Sequence, residues 1–515
     1  MLSKRLIIIS VLAIGQTLSA GAQTPLSAID WLSDSVTTPV AMQPPPTLTD
    51  PETAVTDNAA VEDITVSTLD GPTPDAVGLL PVSVTGLPRG FWGASPSVEL
   101  ARLVRNQPAH NLPALQDLLK MILLAELDAP LDADGTGALF LARIDKLLDI
   151  GTLDQAQALL ERAGPHSPEL FRRWFDVALL TGTEDAACET LRNNADIAPT
   201  FPARIFCLAR NGDWNAAAVT LETAKVLGYV SKEEDALLAR FLDPELFEGA
   251  QPLPVPKLVT PLIFRMKEAI GEAIPTANLP RAFANADLRS NTGWKPQIEA
   301  AERLARTGAI DENLLLGLYT ERLPAASGGI WERVDAIQAF DRAYSTKDPG
   351  AVAKALPNVW DEFKHAELEV TFATLYGEGL GALPLGPDVA PLAYQVGLLS
   401  LGYEKVAGAY TPVSPFEKFL AALALGDLSE IDAPDSTAKA IKAAFSPHKI
   451  PAQFTPLLDS NKLGEAILQA NILFSQGAAG DLDDVRKALI LLRSVGLEDT
   501  ARRAALQLML LDRRG

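Results

Sequence analysis

Residues 140–224 read FLARIDKLLDIGTLDQAQALLERAGPHSPELFRRWFDVALLTGTEDAACETLRNNADIAPTFPARIFCLARNGDWNAAAVTLETA. One pattern recurs three times in this stretch. Phe140, Phe171 and Phe201 open the copies, and Gly151, Gly182 and Gly212 follow, each eleven positions on. Ala156, Ala187 and Ala217 come five after the glycine, and Leu160, Leu191 and Leu221 nine after. Ala163, Asn194 and Ala224 stand twelve after, and Pro168 and Pro199 seventeen after, with Tyr229 breaking the match in the third copy. A fixed period of this length marks stacked supersecondary units.

The chemistry of one unit predicts a helix pair. Phe140, Ile144, Leu147 and Leu148 recur at helical spacing. A glycine then ends the helix, because it adopts φ > 0 without a Cβ penalty. Ala156, Leu160 and Ala163 share one face of a second helix, and the small residues allow close approach to the first. A proline closes the unit.

This pattern resembles the tetratricopeptide repeat, with Gly212-Asp213-Trp214 similar to that family's Gly-Asp-Tyr turn. It departs from the family in its period, 31 and then 30 residues, and in Asn194, where a small apolar residue is expected. The resemblance covers residues 138–228. It implies an all-α fold, a right-handed α-solenoid of helix-turn-helix repeats whose concave surface is lined by first helices and takes a protein or peptide. Carrying over the family's groove positions names Leu141 and Asp145, Arg172 and Asp176, and Phe206 and Arg210 as partner-binding residues.

Along the whole chain, five segments are expected. Residues 1–22 read as a secretory signal: Lys4 and Arg5 precede the apolar run Leu6–Ile14, and Ala20-Gly21-Ala22 suits cleavage. Residues 23–96 read as a disordered acidic tail, with ten prolines between Pro39 and Pro96. Two apolar islands in it, Ile29-Asp30-Trp31-Leu32 and the one ending in Phe91-Trp92, read as docking motifs, in cis or for a partner. Residues 97–248 form the repeat region, 249–261 a Pro-rich linker, and 262–515 a degenerate helical-repeat domain ending in a hairpin with Gly496 between its helices.

Charge and cysteine usage narrow the function. The net charge of −21 opposes binding to nucleic acid or anionic lipid, and no mature stretch is long and apolar enough for membrane insertion. The two cysteines, Cys188 and Cys207, fall about two turns either side of the break at 195–200. Across an antiparallel pair they stand at similar height, which allows a disulfide in an oxidising compartment, the alternative being two buried free thiols.

Motifs for chemistry are missing. The four histidines are scattered, with no HExxH, and no G-x-S-x-G occurs. The aspartates of 128–134 lack the order of a calcium loop, since Pro130 stands at its first ligand position. No catalytic residue, metal or cofactor is assigned. The expected function is a periplasmic scaffold or adaptor that binds a protein or peptide of the cell envelope. The alternative is a peptidoglycan-related enzyme or an activator of a cell-wall hydrolase.

Overall fold

The computed structural model describes residues 73–511, apart from 325 and 448. The expected signal, residues 23–72 and the Ile29, Trp31 and Leu32 motif lie outside the described residues. Among the described residues every regular element is a helix, with one isolated bridge between Leu80 and Ala125. Helices of seven or more residues are numbered below.

The repeats form three consecutive helix pairs: α3 (Ala138–Ile150) with α4 (Leu153–Ala163), α5 (Pro168–Thr181) with α6 (Glu184–Asn193), and α7 (Phe201–Arg210) with α8 (Trp214–Leu227). Gly151, Gly182 and Gly212 all have φ between 81° and 88°, the left-handed geometry that ends the first helix of each pair. Ala156, Ala187 and Ala217 are fully buried, and the leucines four positions on are buried. The proline acts differently from the sequence expectation. Gly164 caps α4, and Pro168 is the first residue of α5. Its fixed φ and missing N–H suit an N-terminal turn, so it opens the next helix.

Two helices precede the pairs, α1 (Ser97–Arg105) and α2 (Pro113–Leu124), and α9 (Lys232–Leu242) follows them. Asp132 caps α1: its carboxylate accepts from the Ser97 backbone N–H at 2.9 Å and the Ser97 hydroxyl at 2.7 Å. In that loop Asp132 therefore serves a helix end, and Asp134 closes a turn onto Thr136.

Residues 73–96, grouped by composition with the disordered tail, belong to the helical body. Asp75 accepts from the Phe140 backbone N–H at 2.7 Å and so caps α3, whose own N-cap is a glycine. The buried Arg143 guanidinium donates to the carbonyls of Val77, Leu123 and Ala125. Burial pushes it down to about 10. These bonds satisfy the backbone of an irregular segment that would otherwise be buried without partners.

The chain then doubles back. After the Pro-rich stretch come α10 (Pro261–Ala269), α11 (Trp294–Ala305), α12 (Glu312–Thr320), α13 (Ile330–Ser345), α14 (Pro349–His365) and α15 (Glu369–Leu380). The turn at 249–261 is held by Glu272, which accepts from Lys267 at 2.6 Å, Arg240 at 2.9 Å and the Leu253 backbone at 2.9 Å. From there α10 packs on α5, and Arg281–Phe283 packs on α3. Asn285 donates to the Gly151 carbonyl at 3.0 Å and Thr307 to the Ile150 carbonyl at 2.8 Å. The second half thus satisfies the carbonyls that α3 leaves open at its C-terminus.

The remaining helices are α16 (Ala390–Leu398), α17 (Tyr403–Ala409), α18 (Pro415–Leu425), α19 (Ser436–Phe445), α20 (Leu463–Ala478), α21 (Leu482–Ser494) and α22 (Glu498–Leu510). They return the chain to its beginning. α22 packs on α2, where Gln507 accepts from the Ala114 backbone N–H at 2.9 Å. α20 packs on α1, where Asn471 donates to Gln107 at 2.7 Å and Gln107 to the Leu468 carbonyl at 3.0 Å. Phe91 and Trp92 are wholly buried in this closure, against Gly464 at the start of α20. One hydrophobic core runs from Leu87 to Leu511 through both halves.

Candidate functional site

The six groove positions carried over from the repeat family lie on the first helices, but the structure makes most of them interior. Asp145 is buried and accepts from Arg173 Nε and Nη2 at 2.7 and 3.2 Å, a bidentate pair between α3 and α5. Arg172 and Asp176 are buried on α5. Burial pushes the Asp176 carboxyl up to about 7, although Arg172 and Arg173 stand near it, and its Oδ2 has no hydrogen-bond partner. Phe206 is buried between Phe175 and Phe241, at ring distances of 6.3 and 5.4 Å. Leu141 is half-buried, and Arg210 is half-exposed and paired with Asp185 on α6. Four of the six, Asp145, Arg172, Asp176 and Phe206, are thus buried. Several neighbours account for this: α1 packs on α3, with Arg105 3.8 Å from Asp145, α10 and residues 281–287 pack on α3 and α5, and α9 brings Phe241 onto Phe206. α3 and α5, the first helices of two pairs, thus meet this chain's own second half.

The Phe91-Trp92 motif is likewise engaged in cis. The rings meet edge to face with centroids 4.8 Å apart, and the Phe91 carbonyl accepts from the Gly464 N–H at 2.9 Å. The sulfurs of Cys188 on α6 and Cys207 on α7 are bonded, with Cα atoms 4.9 Å apart. That bridge ties the second pair to the third.

The surface feature that stands out is on α8. This helix buries only Ala217, Leu221 and Ala224, one narrow stripe against α7 and α9. Its outward face carries Val219 at 67% exposure, Val226 at 87% and Leu227 at 56%, with Trp214 at 50% at its start. Ala218, Val219, Glu222, Thr223, Val226 and Leu227 form a shallow depression there. A helix apolar on several faces ordinarily has neighbours on several faces. The internal repeat supplies a control. The position seven after the glycine is exposed in all three copies, and it is Ala158, Glu189 and then Val219. Fourteen after, it is Pro165, Asp196 and then Val226. Only the third copy places a large aliphatic residue at both positions. Val219 and Val226 stand in the sequence at offsets where the three copies differ, and a repeat period marks only the positions that agree.

Among the described residues, no group of three or more His, Cys, Asp or Glu side chains converges as a metal site, and no helix is long and apolar enough to cross a membrane. Comparison with protein-family models, with curated proteins and with solved structures finds no match to this chain.

Proposed function

We propose that this protein is a helical-repeat scaffold of the cell envelope, with right-handed tetratricopeptide-like repeats, and that it binds another protein through the outer face of α8. The observation that carries this reading is the exposed Val219, Val226 and Leu227 on α8, where the first two copies have Ala158 and Glu189 in place of Val219, and Pro165 and Asp196 in place of Val226. Exposed apolar patches of this kind are characteristic of interaction sites. Apolar residues at i, i+7 and i+8 suit an amphipathic helix laid alongside, the helix-in-groove mode of recognition. The Cys188–Cys207 bridge supports an oxidising compartment, as does the apolar leader expected at residues 1–22.

The test is the double substitution Val219→Asp with Val226→Asp. Both sites are solvent-exposed, so stability should change by no more than about 0.5 kcal/mol for each substitution. The partner that co-purifies with the native chain should be lost. A partner retained by the folded double variant would refute the α8 reading.

A further inference from the structure

The seam where the two halves of the chain meet holds a polar cleft of about 330 Å³. Its walls come from α2, from Gln155 on α4, from the loop 305–312 between α11 and α12, from α15 and from Arg503 on α22. Gln116 lines it from α2. This residue is only 3% exposed, yet neither its amide nitrogen nor its amide oxygen has a hydrogen-bond partner in the protein. The carbonyl oxygen of Gln155, which lines the same cleft, is also buried and unpartnered. Burying one amide without partners is costly, and two at one cleft point to a group that supplies both a donor and an acceptor. The natural complement of an amide is another amide.

The charges narrow the class. Lys120, Arg306 and Arg503 face the cleft together with Asp117, Asp311, Glu312 and Glu367. Asp117 is already engaged, 3.2 Å from Lys120 and 3.0 Å from Arg503. Arg306 is anchored by its Nε, which donates to the Ala366 carbonyl at 2.7 Å. Three cations among four carboxylates disfavour a phosphate or any other multiply charged anion. They suit a molecule carrying one charge of each sign. The volume is at the lower end for ligand pockets, which limits the ligand to a small one.

We propose that this cleft binds a short peptide with free ends, about two or three residues long, whose amide pairs with Gln116. Its carboxylate meets the lining cations and its ammonium the lining carboxylates. The site is remote from the α8 face in sequence and in helix packing. Val219→Asp with Val226→Asp should leave peptide binding unchanged, so failure of either proposal is distinguishable from failure of the other.

The experiment is calorimetric titration of the full chain with Ala-Ala and Ala-Ala-Ala, with the N-acetylated and C-amidated forms, and with inorganic phosphate. The expected result is saturable binding of a free-ended peptide, weakened about tenfold or more by blocking either end, since each block removes a charge-assisted contact. Gln116→Leu should weaken binding by about tenfold or more while leaving the melting temperature unchanged or higher, because it also removes an unpartnered buried amide. If that variant fails to fold, Gln155→Met gives the same readout on the second amide. Three results would overturn the proposal: no saturable binding of either free peptide, equal binding by native chain and folded amide variant, or binding of phosphate alone.

Discussion

At the residue scale, the buried charges on α3 and α5 decide how the interior behaves. Asp145 and Arg173 satisfy each other through two hydrogen bonds. Removing one partner strands the other in the interior, and the desolvation cost is then uncompensated. Asp145→Ala should therefore cost about 3–5 kcal/mol, measurable by chemical denaturation, whereas a loss below about 1 kcal/mol would place Asp145 in solvent-like surroundings. Asp176 has the opposite character. Its carboxyl sits at about 7 because burial outweighs the nearby guanidinium groups. An unfolded aspartate titrates at about 3.9. Between these values the folded chain keeps a proton that the unfolded chain has lost, so this residue makes stability fall as pH rises from about 4 to about 7. The slope is at most about 1.4 kcal/mol per pH unit. Asp176→Asn should flatten the dependence across that window, and stability curves at pH 5, 6 and 7 check it. A variant with the native slope would rule out Asp176 as its source.

At the scale of elements, the repeat was legible from residue types alone. Gly151, Gly182 and Gly212 stand where a left-handed residue must end a helix, and Ala156, Ala187 and Ala217 stand where helices approach closely. Such signals are local, so a sequence carries them openly. Residues 73–96 were misread because Pro and Gly usually mean a chain that cannot bury enough surface to fold. Here Asp75, Phe91 and Trp92 attach the segment to elements far along the chain. Gly464 offers a test of that attachment. A Cβ at this position would stand 2.7 Å from Trp92 and 2.8 Å from Phe91. Gly464→Ala gains up to about 1 kcal/mol of helix propensity. Overpacking typically costs about 1–3 kcal/mol, so net destabilisation is expected, read from the denaturation midpoint. A stabilised variant would mean that the two rings do not pack on α20. The disulfide is the other inter-element tie. Closing a loop of 19 residues contributes on the order of 3 kcal/mol in the chain-entropy view. Cys188→Ala with Cys207→Ala should lower the melting temperature, and a reducing agent should do the same to the native chain. An unchanged melting temperature in both cases would show the bridge to be energetically idle.

At the scale of the whole molecule, contacts between distant segments govern both the fold and the placement of function. Gln107 and Leu468 bond across 361 positions, and α22 meets α2. No local pattern announces which helix will cover another, so the groove residues Asp145, Arg172, Asp176 and Phe206 were legible as helix positions and illegible as interior. The same closure that covers α3 and α5 leaves the outer face of α8 open, and that face is the one the proposed partner uses. The most direct measurement is photo-cross-linking in cells, with a benzophenone amino acid placed in turn at 226, 219, 189, 141 and 210. The expected result is one adduct to another protein from positions 226 and 219 and none from 189, 141 or 210. Adducts from 141 and 210, with none from 226 and 219, would contradict the account and return the binding site to the concave side of the repeats.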